Sequence, residues 1–387
     1  MFILTEQQRA LRQELRDFVD TELLPRAMEI DATGQPPRDI MKKIAQRGYC
    51  SAAFSKKLGG GGGGALEGLM FIEEISRGLA SLGFVYTANT FQICYALKDA
   101  VTRKQAEQWL IPAIRGEKIL TLALSEELGG SDAFAIATSA EKRGGEWVLN
   151  GSKYWITNAG IADGYIVAAR TADSTRSRDV ILFYVDARTP GVDDNHRVDM
   201  AGLASSPTGS IRFNDCHIPA DCLIGSLGTE QSSYHLIQRA LLTGRISLAA
   251  VSIGLAQAAL DAAASFTSRR EYFGRPISSH QGVSFPIAEI QTEISLARNM
   301  MYHVADALDA GQPTMVEGAE LKYFAAQMAQ KACHCCAELH GAIGFDRKYG
   351  VSRLVQDSLM LTTAEGTSQI CKVIVSNAVY NNGKVLM

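Results

Sequence analysis

Glu365 has the clearest potential for chemistry in this sequence, because its carboxylate stands beside a glycine and ahead of hydroxyl and amide side chains. The run from residue 363 to residue 369 reads Thr-Ala-Glu-Gly-Thr-Ser-Gln. A carboxylate can take a proton, and the neighbouring hydroxyl, amide and backbone N–H groups can hold a polar ligand. Taken alone, the run is also typical of a helix start, where acidic side chains are favoured.

Three upstream segments combine groups that could hold a large polar ligand. Residues 125–132 read Ser-Glu-Glu-Leu-Gly-Gly-Ser-Asp and offer hydroxyls and open N–H groups after an apolar run. Residues 154–158 read Tyr-Trp-Ile-Thr-Asn, so Trp155 and Thr157 would share one face of a strand. Residues 269–274 read Arg-Arg-Glu-Tyr-Phe-Gly, and guanidinium groups suit a pyrophosphate because they form paired hydrogen bonds. Each segment also has an ordinary interpretation: a strand-end turn, a half-buried tryptophan and a solvated helix end.

A stripe of cysteine and histidine side chains near residue 336 could be a metal site or a buried helix face, and the metal site is the weaker interpretation. Cys333, Cys336 and His340 would share one face of a helix. A zinc or iron site needs a fourth ligand and usually a different spacing. Because cysteine is among the most frequently buried residue types, the stripe predicts a buried helix face and no metal.

The spacing of apolar residues is helical in the first third of the chain and strand-like in the middle third. A capping box at Thr5–Gln8 starts a helical pattern that Pro25 ends. The middle third has short runs rich in β-branched and aromatic residues, and Gly144-Gly145 is a hairpin signal. The predicted strands are residues 120–124, 137–143, 146–149, 165–169, 180–185 and 209–213. Such short strands favour a small barrel or sandwich.

The last third returns to long helical patterns rich in alanine and leucine. Four helices are predicted, at 233–267, 281–310, 316–340 and 368–379. The second is expected to bend or restart near Pro286, because proline removes a helix hydrogen bond. Several long helices with alanine-rich faces favour a bundle.

Composition excludes several classes of protein. The chain has 387 residues, 47% of them hydrophobic and 20% charged, which fits a globular protein of two or three domains. With a net charge of −3 and no basic domain, nucleic acid is not an expected partner. No apolar run reaches the roughly 18 residues of a membrane span, and no secretory signal is visible. Eight scattered cysteines favour a reducing compartment, so we expect a cytoplasmic protein, or a mitochondrial matrix protein if a precursor was removed.

The segments 125–132, 154–158, 269–274 and 363–369 together resemble the acyl-CoA dehydrogenase family and occur in the family's order. The resemblance extends from about Leu4 to the C-terminus. The resemblance implies an α+β fold with three domains. They are an N-terminal helical domain at 1–118, a middle small β-barrel or sandwich domain at 119–228, and a C-terminal four-helix bundle at 229–387. It also implies FAD as the cofactor.

The resemblance assigns roles to individual residues. Glu365 would be the catalytic base, and Arg245 would lie close to it and order it. The flavin would be contacted by Leu122, Leu124, Ser125, Gly130, Ser131, Trp155, Thr157, Arg270, Phe273, Gln281, Glu338, Gly341, Thr367 and Gln369. The acyl thioester would be contacted by Ser131, Thr87, Thr90, Phe91, Tyr95, Ala364 and Gly366. Arg270 would reach the pyrophosphate of a neighbouring subunit, so a homodimer or homotetramer is expected.

The sequence departs from the family's pattern at four informative positions. Ser125 stands for the family's threonine and keeps its hydroxyl, whereas Glu127 replaces a proline. Glu338 replaces the usual glutamine, and its carboxylate would repel a pyrophosphate unless it bonds a hydroxyl or a backbone N–H. Some members carry the base immediately before the arginine that Arg245 matches, but Gly244 stands there and cannot be a base.

The implied reaction is the α,β-dehydrogenation of an acyl thioester. Glu365 would remove the α-proton, flavin N5 would accept the β-hydride, and an electron-transferring flavoprotein would take the electrons. Ala364, where many relatives have a bulky aromatic residue, predicts a short branched, cyclic or functionalised acyl group.

Three alternatives remain open. The acyl group could be tethered to a carrier protein of a secondary-metabolite pathway. The same scaffold could perform oxidase, reductive, decarboxylating or desulfinating chemistry. The chain could also be a non-catalytic flavoprotein, although the presence of Glu365 argues against that.

Overall fold

The protein has a β region between two helical regions. The computed structural model describes residues 2–174, 176, 179–225 and 232–381. The α–β–α order and the α+β fold class predicted from the sequence are confirmed. Of the two proposed domain boundaries, that after residue 118 remains a prediction, and that after residue 228 lies outside the described residues.

The N-terminal region is built from short helices. They are α1 (Glu6–Phe18), α2 (Ala27–Thr33), α3 (Arg38–Gln46), α4 (Ala65–Gly78), α5 (Ala80–Tyr86), α6 (Arg103–Gln105) and α7 (Ile111–Ile114). The predicted capping box is present, since the Thr5 hydroxyl accepts from the Gln8 N–H and the Gln8 amide accepts from the Thr5 N–H. A wide helical segment, Thr87–Tyr95, follows α5 and is buried throughout.

The middle region is a sandwich of two four-stranded sheets. Its strands are β1 (Leu120–Ala123), β2 (Ser139–Arg143), β3 (Glu146–Thr157), β4 (Gly164–Ala169), β5 (Ile181–Asp186), β6 (Val192–Arg197), β7 (Thr208–Pro219) and β8 (Leu223–Ile224). One sheet has the order β1-β4-β5-β8 and the other β2-β3-β7-β6. Tyr165 and Phe183 of the first sheet share a core with Ile211 and Phe213 of the second. The predicted hairpin at Gly144-Gly145 joins β2 to β3.

The C-terminal region is a helical bundle that begins with a long helix. The helices are α8 (Ser233–Arg269), α9 (Gln281–Asp309), α10 (Met315–His340), α11 (Val351–Leu359) and α12 (Ser368–Tyr380). A short hairpin of β9 (Glu271–Tyr272) and β10 (Arg275–Pro276) separates α8 from α9.

Of the expected bend or restart of α9 near Pro286, the restart is wrong, because the helix runs unbroken from Gln281 to Asp309, and the bend stays a prediction. Pro286 lies in its second turn. There the missing N–H removes only one bond to the preceding turn, and the rest of the helix is stabilised by packing.

Helix α8 is the centre of the molecule. It packs against α9 and α10 in the bundle and against α4 of the N-terminal region. Gly254 permits the close approach to α4, since a Cβ there would stand 2.1 Å from the Glu73 backbone oxygen. Within the described residues, α8 is also the one helix long and apolar enough to cross a membrane, but most of that stretch is buried inside the protein.

Candidate active site

The loop that carries Glu365 has an unusual backbone. It connects the turn Met360–Thr362 to α12, and Glu365 and Gly366 have φ values of 55° and 91°. A non-glycine residue in the left-handed region is uncommon, so the surrounding protein must hold the loop in this shape.

Two buried cations bond to consecutive carbonyls of this loop. The Arg245 Nε of α8 donates to the Glu365 backbone oxygen at 3.3 Å, and the Lys322 Nζ of α10 donates to the Gly366 oxygen at 2.6 Å. Arg245 is 5% exposed and Lys322 is fully buried. With both carbonyls turned inward, the N–H of Glu365 bonds to no other residue in the described part of the chain. It is therefore available to a ligand.

The Glu365 carboxylate is placed to exchange a proton near neutral pH. Burial raises the pKa of Glu365 from 4.5 to about 7, although Arg245, Lys322 and a hydrogen bond from Gln92 all lower it. The Gln92 Nε2 lies 2.6 Å from the Glu365 Oε2. Gly244 faces the same oxygen, since a Cβ at that position would stand 2.3 Å from it. The side chain as a whole is half-buried, so part of it can face a substrate.

The turn after β1 contains one group of residues anchored in the protein and another exposed to solvent. Leu122 and Leu124 are buried, Ser125 is half-buried, and Gly130 and Ser131 are exposed. Glu126, which the sequence analysis did not single out, accepts hydrogen bonds from Ala137, Thr138 and the fully buried Lys153. These bonds fix the start of the turn and leave its remainder free to face a ligand.

A β-bulge interrupts β3 between Lys153 and Ile156, so regular alternation does not hold there, and the shared face of Trp155 and Thr157 stays a prediction. Trp155 has a φ of 59° and is 57% exposed, whereas Ile156 is buried. The bulge turns the indole out of the sheet core, which is one way in which bulges re-aim a side chain.

The buried segment Thr87–Tyr95 supplies the N-terminal residues predicted to contact the acyl group. In the described part of the chain, the buried hydroxyls of Thr87 and Thr90 have no hydrogen-bond partner. Phe91 stacks on Tyr95, whose hydroxyl donates to Asp309 at the end of α9. The Tyr95 hydroxyl is thus already bonded within the protein, whereas the two threonines keep free hydroxyls.

Several predicted flavin residues lie on the surface, away from the Glu365 loop. Arg270 follows the last residue of α8, and its guanidinium donates to the Tyr272 hydroxyl. Arg245 and Arg270 are 25 residues apart on this helix, so at 1.5 Å per residue they are separated by about 37 Å. The other exposed members of this group are Phe273, Gln281, Glu338 and Gly341. One chain therefore does not bring this surface group next to its own Glu365.

The other predicted residues close to Glu365 in the sequence are partly bonded or packed within the protein and partly exposed. The Thr367 hydroxyl accepts from the Ile370 N–H and caps α12, while Gln369 is exposed. Ala364 is partly buried against the core. Cys333 and Cys336 are buried on α10, and among the described residues no group of three His, Cys, Asp or Glu side chains could hold a metal ion.

Gln92, Lys153 and Lys322 were not among the site residues predicted from the sequence. Lys322 had a signal, because it is a lone cation among the buried alanines Ala319, Ala325, Ala326 and Ala329 of α10. Gln92 had none, since its partner lies 273 residues away.

Comparisons with known proteins agree with this architecture. The N-terminal, middle and C-terminal domain models of acyl-CoA dehydrogenase match residues 5–117, 121–216 and 234–380. The chain is 34% identical to the mitochondrial short-chain specific acyl-CoA dehydrogenase of Bos taurus, over 96% of this chain and 90% of that protein. It is 33% identical to the 3-(aryl)acrylate reductase of Clostridium sporogenes, over 96% and 98%. The solved structure of butyryl-CoA dehydrogenase from Megasphaera elsdenii is 29% identical and superposes with a TM-score of 0.93 over 98% of this chain and all of that one. This chain belongs to the acyl-CoA dehydrogenase family and is an FAD-dependent oxidoreductase.

Proposed function

We propose that this protein catalyses the α,β-dehydrogenation of a short-chain acyl-CoA thioester, with Glu365 as the base that takes the α-proton. The observation that carries the proposal is the Glu365 carboxylate, which stands on a clamped loop and has its pKa raised by burial to about 7. A general base works best when its pKa lies near the working pH.

The loop would contribute a second function beside proton transfer. Removing the α-proton places negative charge on the thioester oxygen, and a preorganised N–H donor stabilises such charge. The N–H of Glu365, which bonds to no other described residue, is such a donor, and Arg245 and Lys322 hold the carbonyls of Glu365 and Gly366 that follow it. Base and oxyanion donor would then belong to one residue.

The residues of the middle domain fit a flavin. Trp155 offers an exposed aromatic face, and the hydroxyls of Ser125, Ser131 and Thr157 bond to no other residue in the described ranges. An aromatic wall with free hydroxyls beside it suits a heterocycle that has polar edges. When bound, FAD supplies the hydride acceptor for the β-hydrogen. We propose an electron-transferring flavoprotein as the final acceptor.

Arg270 would serve the cofactor of a second copy of the chain. Its distance of about 37 Å along α8 from Arg245 supports this division between subunits. Phe273, which is 95% exposed and has a φ of 54°, would lie in the same intersubunit contact. A homodimer or homotetramer is therefore proposed.

A short or branched acyl group is proposed from the small side chain of Ala364 beside the base. The similarity to a short-chain specific enzyme and to a butyryl-CoA dehydrogenase supports this size class. The free hydroxyls of Thr87 and Thr90 would suit a substituent with a polar atom.

The test is anaerobic titration of the FAD-loaded protein with a panel of acyl-CoA thioesters, following flavin bleaching and the enoyl product. We expect short or branched thioesters to react fastest, and Glu365→Gln to lower the rate by about 10²–10⁴-fold. Glu289→Gln is the matched control, because Glu289 is an exposed partner of Lys331. Full turnover by Glu365→Gln would contradict the base assignment, and palmitoyl-CoA as the fastest substrate would contradict the size class.

A reductive reaction is the second candidate, favoured by the similarity to 3-(aryl)acrylate reductase. A group with a pKa near 7 can donate a proton to the α-carbon as readily as it can remove one. The two functions are separated by two rates: that of the reduced, FAD-loaded protein with an enoyl substrate, and that of the oxidised protein with the matching acyl-CoA.

A further inference from the structure

Within the described ranges, Gln92 is the side chain that donates a hydrogen bond to the Glu365 carboxylate. It lies on the buried segment Thr87–Tyr95, is 7% exposed, and places its Nε2 2.6 Å from the Glu365 Oε2. A carboxylate only accepts hydrogen bonds, so the amide must present its NH₂ group to it. Arg245 and Lys322 differ from Gln92, because both donate to backbone carbonyls of the loop.

Gly244 completes the surroundings of the same oxygen. A Cβ at position 244 would stand 2.3 Å from the Glu365 Oε2, 2.9 Å from its Cδ and 3.3 Å from the Gln92 Nε2. Real Cβ atoms essentially never come within 3.0 Å of another group. The Oε2 therefore occupies a niche that exists only because residue 244 has no side chain.

We propose that Gln92 and Gly244 form a niche for the Oε2 of Glu365, which orients the carboxylate so that the Oε1 takes the substrate proton. Gln92 is in this sense a positioning residue, and Gly244 provides the space. The inference rests on the proposed function, because it concerns the same base.

The charged groups around Glu365 set the background for a pH test. Arg245 of α8 and Lys322 of α10 are the cations that lower its pKa, and Cys371 of α12 faces both of them. Gln92 comes from the N-terminal region and bears no charge, so it can stabilise the carboxylate anion without neutralising it. Removing only Gln92 leaves both cations in place.

The first test is Gln92→Met, which keeps the length of the side chain and removes the donor. The acid limb of the pH profile of kcat/KM is expected to move upward by about one pH unit, with a loss of about tenfold near pH 6. Gln92→Glu is expected to move the limb further, because two carboxylates sharing a site raise each other's pKa. Gln330→Met is the control, since it removes an amide donor that bonds to the Ser358 oxygen elsewhere.

The second test is Gly244→Ala, which fills the niche. Alanine is a better helix former than glycine, so the helical backbone itself is not weakened. We expect kcat to fall at least tenfold. Gly318→Ala is the control, because its added methyl would meet the flexible end of Leu242 at 2.8 Å and Ile246 at 3.3 Å, and not Glu365.

The outcomes distinguish this inference from the proposed function. An acid limb that stays at the wild-type pH in Gln92→Met and Gln92→Glu, together with wild-type kcat in Gly244→Ala, would overturn the niche. If none of the acyl-CoA thioesters bleaches the flavin of the wild-type protein, the proposed function itself is contradicted. A shift in Gln92→Met but not in Gln330→Met supports the niche, and if Gln92→Met does not fold, the result from Gly244→Ala decides.

Discussion

Lys153 of β3 and Lys322 of α10 are both fully buried lysines near a glutamate, but only Lys153 forms an ion pair with it. Burial lowers the pKa of each lysine to about 8. Each also donates to a backbone carbonyl, Lys153 to Leu124 at 3.1 Å and Lys322 to Gly366 at 2.6 Å. The two lysines therefore resemble each other, and the difference lies in the glutamates.

Glu126 is surrounded by donors, whereas Glu365 has one. Burial acts to raise the pKa of Glu126, but the attraction of Lys153 and bonds from Lys153, Thr138 and Ala137 outweigh it, so this pKa is lowered. Among the described residues, Glu365 receives a side-chain hydrogen bond from Gln92 alone, and burial raises its pKa to about 7. A carboxylate saturated with donors stays ionised and anchors the fold. A carboxylate with few donors can exchange a proton.

The largest expected effect comes from breaking the anchoring pair. Glu126→Gln leaves Lys153 buried without its counter-ion, and breaking a buried pair in this way costs about 4 kcal/mol. The free energy of unfolding, measured with urea at pH 7, should fall by that order. Glu141→Gln is the control, because its ion pair with Arg143 is exposed and should contribute little. Wild-type stability in Glu126→Gln would remove the contrast between the two sites.

The second prediction concerns the pH dependence of stability at the other site. The folded pKa of Glu365, about 7, lies above its ordinary value of 4.5, so the folded protein binds this proton more tightly than the unfolded chain. The stability from this group is complete below pH 4.5 and is lost as the pH rises through about 7. Glu365→Gln lacks this loss. Its unfolding free energy relative to wild type should therefore increase by about 3 kcal/mol between pH 4.5 and pH 8.

Denaturant unfolding of both proteins at several pH values measures this difference. Glu289→Gln serves again as the control, because an exposed carboxylate should give no comparable rise. A difference that is independent of pH would mean that Glu365 stays ionised in the folded protein, as Glu126 does.

Most of the fold could be predicted from the sequence, because the spacing of apolar residues and the turn signals are local. The capping box at Thr5–Gln8 and the hairpin at Gly144-Gly145 depend on neighbouring residues and were placed correctly. The restart at Pro286 was wrong, since the packing of α9 outweighs the loss of one hydrogen bond. The bulge at Trp155 has no local signal that would have indicated it.

The site could be predicted only where sequence neighbours carry the chemistry. Glu365 was found because its run is distinctive and resembles a family. Gln92 and Lys322 reach the same loop from elements that are 273 and 44 residues away along the chain. Such contacts are set by how the N-terminal region and α10 pack on α8, which no local pattern reports.

The smallest expected effect concerns the loop clamp. Lys322→Met keeps the length of the side chain but leaves the Gly366 oxygen buried without a donor, which costs about 1–3 kcal/mol. With Arg245 alone holding the loop, we expect kcat/KM to fall by about tenfold. Because Lys322 also lowers the pKa of Glu365, its loss should move the acid limb of the pH profile upward.

Lys322→Arg separates the two contributions of this lysine. It keeps the charge and a donor, so the acid limb should stay at its wild-type position even if the larger guanidinium reduces kcat. Lys331→Met, which removes an exposed partner of Glu293, should change neither quantity. If Lys322→Met leaves both kcat/KM and the acid limb unchanged, Lys322 only fills the core. Lys322 would then have a purely structural role, as Lys153 does, and Arg245 alone would hold the catalytic loop.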